Sequence, residues 1–129
     1  MVGGSTLRIA GRGVSSSSKG AARERQVKKL LEGEGWAVTR GAGSHGCADL
    51  WAAKMGWIPA EYGSNREVPG VVLRLIQVKT DKRGPYGNFG PADRKELSAL
   101  AAQTGGVAEL WWWPANGKCQ ILHENQWPL

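Results

Sequence analysis

Four polar residues, Glu24, Asp49, Gln77 and Lys79, have the types and the order along the chain that hydrolysis of a phosphodiester requires. Carboxylate and amide oxygens are ligands that a hard cation such as Mg²⁺ prefers. A lysine beside them places a positive charge near the attacking water and the scissile phosphate. An acid on an early helix, an acid on a strand and Gln77-Val78-Lys79 on the next strand therefore predict a metal-dependent nuclease.

Each of these residues also has an ordinary structural explanation. Glu24 could be a helix acid favoured by the helix dipole, and Asp49 could be a salt-bridged acid on a strand. Gln77 and Lys79 could form the polar face of a half-exposed strand, which is the usual meaning of alternation. The nuclease interpretation is favoured because all four residues occur together. For any one of them alone, a catalytic role is only a hypothesis.

The elements that position these residues follow from apolar periodicity and from glycine and proline. The sequence predicts helices over 19–34 and 91–103, and strands over 36–40, 48–53, 71–80, 107–113 and 118–123. Glycines and prolines in residues 54–70 predict an irregular excursion between two strands, with a wide hairpin turn as the alternative. Gln77 and Lys79 are expected on one face of their strand, because alternate side chains point the same way. This order predicts an α/β fold with helices flanking a mixed sheet of about five strands.

The composition indicates one small domain with a polyanionic partner. The chain has 129 residues, with 17 Lys and Arg against 11 Asp and Glu, which gives a formal charge of +6. Lys and Arg release condensed counterions from phosphates, so this balance favours nucleic acid as the partner. Glycine and serine dominate residues 1–18, which predicts a flexible basic arm ahead of a single domain over 19–129.

The same reasoning predicts an intracellular, cytoplasmic protein that makes no use of a membrane. No apolar run approaches the length of a membrane span, and no signal-peptide pattern is present. Cys47 and Cys119 form no CxxC or zinc pattern, which favours two reduced thiols.

Two stretches of the chain resemble the archaeal-type Holliday junction resolvases of the PD-(D/E)XK nuclease superfamily. They are Lys19-Gly20-Ala21-Ala22-Arg23-Glu24-Arg25 and Gly35-Trp36-Ala37-Val38-Thr39-Arg40-Gly41-Ala42-Gly43-Ser44. The family opens with Lys-Gly and then an acid followed by Arg on the first helix, and it carries an Arg and Ala-Gly-Ser before a metal-binding Asp. The resemblance is closer over residues 19–53 than over 71–83, and the C-terminal third matches in pattern only.

The resemblance implies a restriction-endonuclease-like fold that cuts four-way DNA junctions as a homodimer, whose two sites would match the near two-fold symmetry of the junction. It implies Mg²⁺, with Mn²⁺ as a substitute. The expected metal ligands are Asp49, Gln77, the Val78 carbonyl and Glu24. Lys79 and Ser44 complete the expected catalytic set.

Basic residues near this site are expected to bind DNA. Arg25 and Arg40 would hold phosphates beside the cut, because a guanidinium matches phosphate geometry bidentately. Lys19, Lys82 and Arg83 are expected to contact the backbone as well.

Gln77 departs from the family, which usually has Glu at this position. An amide oxygen can ligate a hard cation but brings no charge, so weaker metal binding is expected. Two alternatives therefore stay open: another nuclease of this fold, of the restriction or repair type, and a catalytically silent DNA-binding module. The tryptophans of Trp111-Trp112-Trp113 are expected in core or dimer packing rather than in base stacking.

Overall fold

The computed structural model of the chain describes residues 16–41, 48–115 and 117–128. Its elements are α1 (Ser16–Gly33), β1 (Ala37–Arg40), β2 (Leu50–Pro59), β3 (Glu67–Lys79), α2 (Pro91–Thr104), β4 (Val107–Trp112), β5 (Gln120–His123) and a 3-10 turn (Glu124–Gln126). The predicted order of helix, three strands, helix and two strands is confirmed. No helix in the described ranges is long and apolar enough to cross a membrane.

The first helix begins earlier than the composition suggested. α1 starts at Ser16, so three serines that were assigned to the flexible arm are helical. Ser and Gly are weak helix formers, but a short polar run can join a helix whose later turns pack against a sheet. The rest of the arm, residues 1–15, lies outside the described residues, and the arm remains a prediction for them.

The strands form one mixed sheet with the order β1-β2-β3-β4-β5. β3 and β4 run parallel, and the other neighbouring pairs run antiparallel. The parallel pair needs a crossover, which the segment containing α2 supplies. In this order β3 lies in the middle of the sheet.

Each helix covers one face of this sheet. Val27 and Leu31 of α1 pack with Ile76 and Val78 of β3 in one core cluster. On the other face, Leu97 of α2 packs in a second cluster whose strand residues include Leu75, Ala108 and Leu110. The alternation predicted for the central strand is thus confirmed, because its odd and even residues enter different clusters.

The irregular excursion predicted over residues 54–70 is wrong for residues 54–59 and 67–70, which belong to paired strands, whereas residues 60–66 form the turn of a hairpin. β2 and β3 continue pairing into this segment, from Lys54 opposite Val72 to Pro59 opposite Glu67. β1 pairs only with residues 50–53 and β4 only from Arg74 onward, so this ribbon has two free edges. Pro69 is tolerated because a proline on a free edge removes no ladder hydrogen bond.

Candidate active site

A break in strand alternation positions Asp49. Leu50 is the residue paired with Ile76, yet the Asp49 N–H also donates to the Ile76 carbonyl, at 2.8 Å. Ala48 packs in the α2 core and Leu50 in the α1 core, although residues two apart share a face in a regular strand. Two residues facing one is the geometry of a bulge, which re-aims side chains and is common beside active sites.

Two further hydrogen bonds hold Asp49. Its Oδ2 accepts from the Val78 N–H at 2.8 Å, and its carbonyl accepts from the Gly41 N–H at 2.8 Å. A side chain at position 41 would collide with the Ala48 carbonyl, so the end of β1 needs glycine here. The aspartate is therefore fixed between the strand that leads to it and the strand that carries Lys79.

Glu24 reaches the same place from α1. Its carboxylate is 19% exposed and lies 3.4 Å from Nη2 of Arg40, whose side chain is 67% exposed. Burial raises the pKa of Glu24, and the negative charge of Asp49 raises it further, while Arg40 and Arg25 oppose this shift. Both carboxylates predicted from the sequence line one cleft, which agrees with the effect of Asp49 on Glu24.

The pKa of Asp49 is also raised, chiefly by burial of the carboxylate. The hydrogen bond from Val78 and the charges of Lys79 and Arg40 lower it, but they do not offset the burial. Two partly desolvated carboxylates near each other favour a bound cation, since the cation relieves both desolvation and repulsion.

These residues line one open cleft of about 520 Å³. Its lining consists of Gly20, Ala21, Glu24, Arg40, Asp49, Val78, Lys79, Thr80 and Asn88. The sequence did not predict Thr80 or Asn88. Thr80 could have been found because it follows Lys79, whereas Asn88 gives no sequence signal because its place depends on the path of residues 80–90.

Gln77 shares a face of β3 with Lys79 but does not line the cleft surface. Its Oε1 is buried and has no hydrogen-bond partner among the described residues. A buried carbonyl oxygen without a donor is costly, and it can be satisfied by a cation. The carboxylates of Glu24 and Asp49 and this amide oxygen are of the type that a hard divalent cation prefers, with two charged groups rather than three. In the described ranges no three His, Cys, Asp or Glu residues cluster as a metal site.

The predicted DNA-binding residues differ in their surroundings. Arg25 and Lys82 are exposed, and Arg40 pairs with Glu24. The Arg83 guanidinium is held by Asp81, with 2.8 Å between Nη2 and Oδ2. Ser44 and the side chain of Lys19 lie outside the described residues, so their predicted roles remain predictions.

The three tryptophans have three different environments. Trp111 is buried in the α1 core and donates to Glu109. Trp112 donates to the Asp81 carbonyl at 2.7 Å. Trp113 lies beneath the guanidinium of Arg23, 4.4 Å from the ring centroid. Core packing, as the sequence favoured, accounts for Trp111.

The sequence matches the family model described as "Archaeal holliday junction resolvase (hjc)" over residues 15–72, a little under half of the chain. This match spans α1, the Asp49 region and the start of β3. No curated protein sequence matches the chain.

A solved structure extends the comparison beyond that segment. It is a 1.6 Å structure of Archaeoglobus fulgidus Hjc, a Holliday junction resolvase from an archaeal hyperthermophile. The alignment covers 84% of this chain and 75% of that one, with a TM-score of 0.59 and 22% identity. Identity at this level shows the fold alone, and it confirms the α/β fold with a mixed sheet of five strands that the sequence predicted.

Proposed function

We propose that the protein is a metal-dependent endonuclease that cuts four-way DNA junctions. One observation carries the proposal: Glu24, Asp49 and Lys79 line one cleft. Glu24 and Asp49 lie within the segment that matches the resolvase family model. The basic charge of +6 supports a DNA substrate, and a DNA substrate with reduced thiols supports an intracellular site of action.

The residues of the cleft would have different roles in hydrolysis. Asp49 and Glu24 present carboxylate oxygens from β2 and α1, and the Val78 N–H keeps Asp49 in one orientation. Lys79 lies at the end of β3, where its ammonium can orient the attacking water and stabilise the charge that grows on the phosphate. Arg40 and Arg25 border the acids and can bind the phosphate oxygens.

The family normally uses a divalent metal, and we propose Mg²⁺, with Mn²⁺ able to replace it. When bound, the cation supplies positive charge that acidifies water and stabilises the pentacoordinate phosphate. Asp49, Glu24, Gln77 and the Val78 carbonyl would hold it. Ser44, which precedes Asp49 in a glycine-rich segment, is proposed to contact the same phosphate.

We also propose that the protein acts as a homodimer. Met55, Trp57 and Val71 are 64%, 65% and 60% exposed, and Met55 pairs with Val71 across the β2–β3 ribbon. Residues 55 and 57 share one face of their strand, so these side chains form one apolar stripe. Exposed apolar surface of this kind usually marks a contact, and a two-fold dimer would present two sites to a symmetric junction.

A silent DNA-binding module is the second candidate. Gln77 favours it, because the described acids alone do not form a three-ligand metal cluster. Cleavage of a labelled four-way junction and of linear duplex with the same sequence, with and without Mg²⁺, separates the candidates. Junction-selective, Mg²⁺-dependent cutting supports the proposal, cutting of both substrates indicates another nuclease of the fold, and binding without cutting indicates the silent module.

A further inference from the structure

A second cleft adjoins the proposed active site. It has a volume of about 420 Å³, and Thr80 lines both clefts. The remaining lining residues are Ala22, Arg23, Gln26, Lys82, Trp113, Pro114 and Ala115. Lys79 and Thr80 are consecutive, so a DNA strand bound at Lys79 has a direct path from one cleft to the next.

Arg23 is built into this second cleft rather than loose on the surface. Its guanidinium lies over the Trp113 ring, 4.4 Å from the centroid, and its Nη1 donates to Gln26 Oε1 at 2.8 Å. Stacking on an aromatic ring and one hydrogen bond fix the plane of the guanidinium. Because a guanidinium has five N–H donors in a rigid fork, most of them are left for a ligand with planar or tetrahedral oxygens.

The charge of this cleft selects the ligand. Among the described residues that line this cleft, Arg23 and Lys82 are the two that carry a charge, and both are cationic. Trp113 supports the guanidinium with one ring face, so that face is not open to a nucleobase. The arrangement suits a phosphate of the DNA backbone rather than a stacked base.

We infer that Arg23, stacked on Trp113 and assisted by Lys82, binds the backbone phosphate next to the scissile one. The inference rests on the proposed function, since it concerns the strand that passes through the cleft of Asp49 and Lys79. Arg23 is a positioning residue for that strand and takes no part in the chemistry at the phosphorus.

The test is binding of a four-way junction without metal, measured by fluorescence anisotropy across a salt series. Arg23→Gln should weaken binding roughly three- to tenfold and lower the slope of log K against log salt by about one. Arg23→Lys should keep most of the slope but lose affinity, because it keeps the charge without the fork. Lys29→Gln removes the same charge from an exposed position of α1 outside both clefts and is the matched control.

A single methylphosphonate placed at each position around the cut identifies the phosphate. Wild-type protein should bind less tightly when the methylphosphonate replaces the phosphate next to the scissile one. The Arg23→Gln variant should show no further loss with that DNA, since the protein change and the DNA change remove the same contact. Additive losses at every position, or an Arg23→Gln variant that binds like Lys29→Gln, would overturn the inference.

These measurements separate the inference from the proposed function. If the protein binds junctions with the expected effects of the Arg23 variants but cuts no DNA, the phosphate site is supported and the proposed nuclease activity is contradicted. If it cuts junctions but the Arg23 variants bind like the control, the nuclease activity is supported and the phosphate site is contradicted. The thermal unfolding midpoints of the variants, compared with wild type, show that each one is folded.

Discussion

The backbone N–H of Val78 donates a 2.8 Å hydrogen bond to the Asp49 carboxylate. This bond joins the residue ahead of β2 to the residue between Gln77 and Lys79. A backbone donor beside Lys79 thus holds the Asp49 carboxylate in place. A change in the pairing of β2 and β3 would therefore disturb the whole site.

Asp49→Asn should abolish cleavage and preserve junction binding. The amide can still accept the Val78 bond, but it cannot bring charge to a cation, so we expect a rate loss of about a thousandfold or more. Cleavage and anisotropy on the same junction measure the two effects. A normal cleavage rate would remove Asp49 from the site.

The same variant should be more stable than wild type at neutral pH without metal. Burial raises the pKa of Asp49, so its ionised form is disfavoured in the folded state. This loss of folding stability is absent at pH values below the pKa of Asp49 in the unfolded chain and fully present above its pKa in the folded protein. Asn carries no charge, so it causes no such loss. Thermal unfolding in chelator at pH 7 and at pH 3 should show a gain that disappears in acid. A gain of equal size at both pH values would contradict this explanation.

Gln77→Glu should lower the Mg²⁺ concentration needed for half-maximal cleavage. The wild-type site, with a neutral ligand at position 77, should need Mg²⁺ in the millimolar range, as an order-of-magnitude expectation. Gln77→Ala removes the oxygen and should raise the requirement or end activity. Metal titrations of the three forms measure this. Identical curves would show that Gln77 is not a ligand, and activity that appears only with Glu would favour the silent module.

Glu109→Ala should destabilise the fold strongly. The Glu109 side chain is 4% exposed, bonds Arg74 at 2.8 Å and accepts from the Trp111 indole at 2.9 Å. Its loss leaves the largely buried Arg74 guanidinium without its carboxylate partner, which costs about 3–5 kcal/mol. Glu61→Ala, which breaks the exposed pair with Arg66, should cost about 1 kcal/mol or less. Urea unfolding of both variants measures the difference, and equal losses would contradict the buried role.

The Asp81 carboxyl should titrate far below its ordinary range. Hydrogen bonds from the Arg83 side chain and backbone lower its pKa from 3.8 to about 2. Because the folded pKa is depressed, the stability from this contact is present above pH 3.8 and is lost as the pH falls toward 2. NMR titration of the carboxyl carbon measures it, and Arg83→Gln should move the pKa back up. An unchanged value in that variant would exclude the arginine as the main cause.

Loss of the apolar stripe should weaken the proposed dimer. Met55→Ser combined with Trp57→Ser removes two exposed side chains from the β2–β3 ribbon and should shift the mass in solution toward the monomer. Tyr62→Ser, a change of a fully exposed ring between the two strands, is the control. Light scattering over a range of concentrations measures the mass. A wild type that is monomeric and cuts junctions fully would contradict the dimer itself.

The sequence alone determined the order of elements, and it predicted the chemical character of the site. Val27 and Leu31 at helical spacing, and the alternation along residues 71–79, each depend on local periodicity. Periodicity is a property of neighbouring residues, so it can be found without knowing the fold. The types and order of Glu24, Asp49, Gln77 and Lys79 can also be found without knowing the fold, and they predict phosphodiester chemistry.

Only the tertiary structure decided how those residues meet. The bulge at Asp49, its bond to Val78 and the pairing of Arg40 with Glu24 join segments that are distant in sequence. The ribbon over 54–70 formed because cross-strand pairing outweighed the local preference of glycine and proline for turns. Arg23 lies over Trp113, 90 positions later, because α1 packs across the face of the sheet beside the end of β4. Such contacts depend on the packing of whole elements, which no local pattern encodes.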